Sequence, residues 1–433
     1  MARMRRVRAV LVAGVLLGAV QVGTAGARAG DLDPSFGVDG RQRGPRALVV
    51  GAAWDSLDRT VLAGRTLSSN EDVVVARYTT GGVLDPAFSG DGVVRIALGD
   101  GRDTALVVAV QPDDKVVVAG ITSTDLDNTG FVLRLTAAGG LDPSFGTDGV
   151  VRLPFEGWLK ALAVDGAGRL VGGGWLCPDD CRSTLLRFTP EGDIDATFGV
   201  DDGATLPDRF DILEIDVLPG GAIIVGGDWV GRDGWDLAVS RRLADGSADN
   251  GFGERGLAVL SLHRDDRFRG LAVDPGGSVL VAGSTTPSEA QSWLTAALVA
   301  RLTPSGQLDA TFASDGFRTF DVGPGSDVAT SVALQPDGRI VVGGSSWTGW
   351  RRRSDFLVAR LTTTGAADLG FGGYGTVLTT FAGHADSVVD VHVQADGRIV
   401  AAGTTTSFTP EVALARYAAE NGRAEPQDDG ARP

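Results

Sequence analysis

Leu32-Asp33-Pro34-Ser35-Phe36-Gly37 returns unchanged as Leu141-Asp142-Pro143-Ser144-Phe145-Gly146. Variants of the block begin at Leu84, Ile194, Ala248, Leu308 and Ala367, spaced 52 to 60 residues apart. Every copy keeps the Asp (Asp33, Asp85, Asp142, Asp195, Asp249, Asp309, Asp368) and the Phe (Phe36, Phe88, Phe145, Phe198, Phe252, Phe312, Phe371). Self-similarity at a near-constant period is the signature of a repeat architecture, in which one supersecondary unit is copied and stacked.

The stretch between blocks is equally regular. In the second copy, 93–97 reads as a short first strand and 105–111 as an alternating, β-branched second. Pro112-Asp113-Asp114-Lys115 makes a turn, and 116–120 and 131–135 read as strands three and four. Later copies carry Gln335-Pro336-Asp337-Gly338-Arg339 and Gln394-Ala395-Asp396-Gly397-Arg398 at the turn. Asp-Gly there suits a tight hairpin closed by a left-handed glycine. Gly166-Ala167-Gly168, Pro219-Gly220-Gly221 and Pro275-Gly276-Gly277 depart from that pattern. Four short strands per repeat predict an all-β fold, a seven-bladed β-propeller of four-stranded antiparallel blades. Near-continuous Val, Ile and Leu in strands two and three fit sheets buried on both faces. The last copy ends with its fourth strand at 412–417 and lacks a block, whereas a spare block opens the chain at Leu32. The N-terminal block therefore supplies what the C-terminus lacks, and the ring closes.

The repeats resemble the delta-60 repeat family of bacterial β-propellers. The likeness covers nearly all of 31–417. It rests on Leu-Asp-Pro-Ser-Phe-Gly-x-Asp-Gly, on Gln-Pro-Asp-Gly-Arg-Ile-Val-Val at 335–342 and on Asp-Phe-Leu-Val-Ala-Arg-Leu at 355–361. It implies an exported or surface-associated bacterial propeller and no particular reaction.

The N-terminus reads as an export signal. Arg3, Arg5, Arg6 and Arg8 precede an apolar run from about Val10 to Val22, and Ala27-Arg28-Ala29 suits a small-x-small cleavage site. The expected organisation is a signal peptide at 1–29 cleaved near Ala29-Gly30, a propeller at 30–419 and a disordered tail at 420–433. An uncleaved anchor is the alternative. The expected location is secreted, cell-surface or periplasmic. The formal net charge of −16 argues against nucleic acid and anionic membranes as partners. No second long apolar segment exists, so no membrane insertion of the mature chain is expected, and a monomer is. Cys177 and Cys181, in Cys-Pro-Asp-Asp-Cys, point to a disulfide in an exported chain, and without a second pair they make a poor zinc site.

Residues present in every repeat are read as framework. Arg77, Arg134, Arg187, Arg241, Arg301 and Arg360 each stand eight residues before a block Asp, and Arg416 closes the series. A charge-assisted Arg–Asp pair at each junction is expected, with Arg416 meeting Asp33, and the recurrent Phe plugs the core between blades. Asp103, Asp266, Asp327 and Asp386 enter the second strand in one register. They read as turn caps, or as a partial carboxylate ring for a hard cation such as Ca²⁺.

Function is sought in the loops. Seven of the eight Trp fall towards one face, where the one–two and three–four loops lie: Trp158, Trp175, Trp229, Trp235, Trp293, Trp347 and Trp350. Only Trp54 lies elsewhere. His263, His384 and the basic run Arg351-Arg352-Arg353 share the Trp face. Either these Trp fold back and cap the blade ends, or they form with Arg351 and Arg352 a face that binds a protein or a glycan. No nucleophile elbow, His-Glu-x-x-His or Walker-type loop is present, so no catalytic residue and no cofactor is expected. The first reading is an exported binding or scaffold module. The second is a channel-site enzyme or cation-binding protein of the lactonase-like propeller type, drawing on the four recurrent Asp and on Ca²⁺.

Overall fold

The computed structural model describes residues 27–124, 128–178, 180–199, 203–232, 234–262, 265–286, 294–349, 353–381 and 385–419. Most of the expected signal peptide (1–26) and the tail (420–433) lie outside these, as do His263, Trp293, Trp350, Arg351, Arg352 and His384. The described residues contain strands, turns and no helix.

The strands assemble as four-stranded antiparallel sheets around a common axis. Leu48–Trp54, Thr60–Arg65, Val73–Tyr78 and Val93–Ile96 form one sheet in that order. Phe210–Val217, Ile223–Val230, Trp235–Arg242 and Leu257–Leu260 form another, and Asp266–Val273 through Phe317–Phe320 a third. Val150–Val164 is long enough to serve twice. Its first part pairs with Asn128–Leu135 and its second with Leu170–Cys177, joining two four-stranded units. A single parallel bridge, Ser354 to Ala385, links the last two units.

The strand read as first in each repeat belongs to the sheet before it. Val93–Ile96 pairs with Val73–Tyr78, not with its sequence successors. The block between them is the reason. Its turn returns the chain antiparallel through Asp85 N to Arg77 O and Arg77 N to Gly92 O, both 2.9 Å. Repeat and sheet are therefore offset by one strand. The same offset closes the ring, since Arg41–Arg46 pairs with Pro410–Tyr417 and Leu32 bridges Tyr417. Consecutive first strands touch in chain order, and Leu48–Trp54 also packs against Ala385–Val393.

The three divergent turns keep the common geometry. Gly168, Gly221 and Gly277 have φ of +77°, +83° and +85°, beside +82° for Gly338 and Gly397. In the first two copies Asp58 and Asp114 take that left-handed position (φ 58° and 61°), which short polar side chains tolerate. The chemistry of the last turn residue decides the hairpin, not the Pro-Asp pair ahead of it.

Apolar clusters lie between neighbouring sheets. One of them joins Phe36, Val49, Leu62 and Tyr78 to Ala402, Val412 and Leu414, chain start against chain end. Each junction is pinned by a buried or half-buried Arg. Arg77 Nε donates to Asp85 Oδ2 at 2.8 Å, its Nη1 donates to Ala137 O of the neighbouring sheet at 2.7 Å, and its guanidinium lies 4.7 Å over Phe88. Arg134–Asp142, Arg187–Asp195, Arg241–Asp249, Arg301–Asp309 and Arg360–Asp368 repeat the pair at 2.7–2.8 Å. Arg416 reaches Asp33 at 2.9 Å and Thr80 O at 2.5 Å, and sits over Phe36. The conserved geometry welds one sheet to the next through one side chain, whose aliphatic and planar parts pack while its nitrogens saturate a carboxylate and a carbonyl.

Candidate functional site at the channel mouth

What positions the site is a β-bulge common to the strands that open each sheet: Leu48–Trp54, Arg102–Val110, the second part of Val150–Val164, Phe210–Val217, Asp266–Val273, Asp327–Leu334 and Ala385–Val393. Register shifts at Val49/Gly51, Ala105/Val107, Ile212/Glu214, Phe268/Gly270, Ala329/Ser331 and Val388/Asp390 each insert one extra residue. In Val150–Val164 the extra residue is Lys160. A bulge bends and twists its strand and re-aims the side chains around it. Here Val50, Leu106, Lys160, Leu213, Arg269, Thr330 and Val389 all line one axial cavity of about 210 Å³. The residues that follow line it too, and two of these are acids, Glu214 and Asp390.

Glu214 Oε2 accepts Leu271 N at 2.7 Å. Asp390 Oδ1 accepts Val391 N at 2.8 Å and the Ser331 hydroxyl. Burial raises Glu214 well above the usual carboxylate range, and the charge of Asp390 raises it further. Burial also pushes Asp390 up to about 6, against the hydrogen bonds from Ser331 and Val391 that lower it. Desolvation penalises the charged form, so both carboxyls hold protons more tightly than in water.

Above this lumen opens a cavity of about 520 Å³ lined by Trp158, Asn128, Lys160, Phe268 and Arg269, with apolar Leu106, Ile121 and Leu213. Leu106, Lys160, Leu213 and Arg269 line both spaces, so mouth and lumen are continuous. Lys160 Nζ is held by Asp211 at 2.7 and 2.9 Å. Arg269 is exposed, and Nη1 donates to Phe268 O at 2.7 Å. It meets no carboxylate within ion-pair distance among the described residues.

The sequence-predicted residues distribute unevenly. Trp158 lines the mouth and lies opposite Trp175 in the strand register. Trp229 is half-buried against the core between sheets and borders a separate outer groove. Trp235 is covered by the Arg267 guanidinium, 4.1 Å from its ring. Trp347 is 41% exposed. The described Trp thus form no single open patch, and Trp158 alone faces the channel mouth. Cys177 and Cys181 form a disulfide at the edge of the same loop face. Trp54, at the opposite end, stacks on His392 with ring centroids 4.7 Å apart, and His392 Nε2 lies 3.0 Å from Asp58.

Asp103, Asp266, Asp327 and Asp386 are fully buried, and each serves its own loop. Asp103 accepts Leu98 N at 2.6 Å and the Thr122 hydroxyl at 2.7 Å. Asp266 accepts Leu262 N and Thr285 Oγ1, Asp386 accepts Phe381 N and Thr405 Oγ1, and Asp327 accepts Val322 N. The geometry is that of a turn cap. Among the described residues no three His, Cys, Asp or Glu side chains cluster as metal ligands.

Glu214 and Asp390 escaped sequence reasoning. The available signal was a carboxylate inside otherwise apolar first strands, Phe-Asp-Ile-Leu-Glu-Ile and Val-Val-Asp-Val. Without the bulge, alternation does not tell which of these acids turns inward.

A family model described as a domain of unknown function (DUF5122), β-propeller, matches residues 58–88, 111–145, 275–312, 335–371 and 394–426. A search of curated protein sequences gives no match. Among solved structures, Drosophila Semaphorin 2a is 9% identical, over 87% of this chain and 74% of that one, with a TM-score of 0.51. Polysaccharide lyase Uly1 is 11% identical over 87% and 98%, TM-score 0.48. Sqt1 from Chaetomium thermophilum is 12% identical over 92% and 86%, TM-score 0.46. At 9% identity the likeness to Semaphorin 2a speaks for fold alone. No helix among the described residues is long and apolar enough to cross a membrane. The chain is an all-β propeller, and five stretches of it match one β-propeller repeat family.

Proposed function

We propose that this protein is an exported, seven-bladed propeller of the delta-60 repeat type that acts as a binding module for a protein or glycan. The recognition centre on the Trp-bearing face is the channel mouth. The observation carrying this reading is the 520 Å³ cavity in which the half-buried Trp158 offers ring surface beside Lys160, Asn128 and Arg269, which meets no carboxylate within ion-pair distance among the described residues. That volume and mixture are typical of ligand sites, apolar walls with a few placed polar groups. A disulfide and the lack of a membrane-spanning helix among the described residues are compatible with an exported protein. Seven Arg–Asp junctions, with Arg416–Asp33 at the seam, support the blade count.

The test is Trp fluorescence of the mature protein titrated with polysaccharides, cell-wall fragments and Ca²⁺. A saturable response to a glycan or protein fragment that is lost in Trp158→Ala and Arg269→Ala supports the reading. A response that survives both substitutions refutes this location. A response to Ca²⁺ alone, abolished at Asp327 or Asp386, favours the cation-binding alternative.

A further inference from the structure

Mouth and lumen carry opposite charges along one axis. Arg269 and Lys160 stand where the channel opens, and Glu214 and Asp390 stand where it narrows. We propose that this continuous space takes the amino-terminal end of a short peptide, its ammonium group between Glu214 and Asp390 and a carboxylate two residues behind it at Arg269.

The acids have acceptor capacity left over. Glu214 Oε1 and Asp390 Oδ2 accept no hydrogen bond among the described residues, while the other oxygen of each carboxyl is engaged by the backbone. An ammonium has three donors and no acceptor, and so complements two such oxygens and the adjoining hydroxyls. It also supplies the charge whose absence makes burial of these carboxylates costly. At the mouth Arg269 offers a guanidinium fork suited to a carboxylate.

The spacing sets the size of the ligand. Glu214 is anchored to Leu271 N, two residues along the strand from Arg269. Arg269 Nη1 is anchored to Phe268 O, so about two residues of backbone, roughly 6–7 Å at the extended rise and less across the bulge, separate the two anchors. An extended dipeptide spans about 7 Å, so a free dipeptide carries its termini at the right separation, whereas a single amino acid is too short and an extended tripeptide, at about 10 Å, too long. Trp158 and Leu213 would line its side chains.

This inference rests on the channel mouth being the binding site, and the experiment separates the two. The full mature chain is titrated calorimetrically with dialanine, its N-acetyl form and its C-terminal amide. Free dialanine should bind, and acetylation and amidation should each weaken it by at least about tenfold. In Glu214→Gln/Asp390→Asn the acetylation penalty should vanish and the amidation penalty persist. In Arg269→Ala the reverse should hold, and unfolding midpoints confirm that each variant is folded. Equal binding of free and acetylated peptide, an acetylation penalty that survives the double substitution, or no binding at millimolar peptide overturns the proposal. In each of those cases a glycan response sensitive to Trp158→Ala leaves the binding-face reading intact.

Discussion

Replacing Arg416 by Met should loosen the ring at its seam and cost about 3 kcal/mol. Arg416 is 4% exposed and Asp33 7%. The guanidinium donates to Asp33 Oδ2, Ser35 Oγ and Thr80 O, at 2.9, 2.9 and 2.5 Å. Removing one partner of a buried pair typically costs 3–5 kcal/mol, because the other charge stays desolvated and unpaired. Two features place the loss at the lower end. Ser35 N and Oγ still donate to Asp33, and Arg398 Nε remains 3.2 Å away. Burial by itself would raise the Asp33 carboxyl. The Ser35 hydrogen bonds and the charges of Arg416 and Arg398 outweigh it and hold the group below its usual range. The control is Arg241→Met. The Arg241–Asp249 pair has the same geometry, but its side chains are 20% and 22% exposed, so solvent recovers much of the charge and the loss should be near 1 kcal/mol. Guanidinium unfolding followed by circular dichroism, with the slope checked for constancy, gives both numbers. Asp33→Asn on top of Arg416→Met should recover part of the loss, since no charge is then stranded. Equal losses at the two sites, or no recovery in the double variant, would refute the reasoning that burial sets the worth of these pairs.

Two further outcomes follow from the channel and the sheet packing. Asp390 is raised in the folded state to about 6, from 3.8. Its contribution to stability is therefore fully present below pH 4 and lost as pH rises through 6, by at most about 3 kcal/mol. Asp390→Asn should remove that slope and raise the melting temperature at pH 7.5 relative to the parent protein, with little difference at pH 4; a parallel shift at both pH values would contradict the lumen assignment. Gly226 sits where a Cβ would come within 2.1 Å of Phe268 Cζ and 2.8 Å of Leu271 Cδ2 in the neighbouring sheet. Gly226→Ala should cost about 1–3 kcal/mol by overpacking, while Gly220→Ala, with open space around it, should change the unfolding midpoint little.

Much of the framework is written locally. The Leu-Asp-x-x-Phe block is a turn whose Asp, in six of its seven copies, meets an Arg eight residues earlier, a short-range pair that spacing alone reveals. The four recurrent Asp likewise accept a backbone N–H of their own loops, and Asp103, Asp266 and Asp386 also a Thr hydroxyl of the next strand. The site is less legible. Trp number and loop position pointed to the face that carries the channel mouth, yet Trp229 and Trp235 are engaged by the core and by Arg267, which no loop assignment anticipates. Loop Trp become a patch only if their rings stay outside, and the packing of neighbouring sheets decides that.

Legible in the chain alone are the repeat, the all-β class, the Arg–Asp pairing and the closure of the ends, because each rests on local turn chemistry or on a pattern repeated many times. The packing of the sheets around one axis is what makes each repeat's first strand complete the sheet before it, sets Arg over Phe at every junction, and lets a bulge turn Glu214 and Asp390 into one channel beneath Arg269. These residues lie on different strands, far apart in the chain. Their nearness comes from the ring closing around a common axis, and no local signal encodes it.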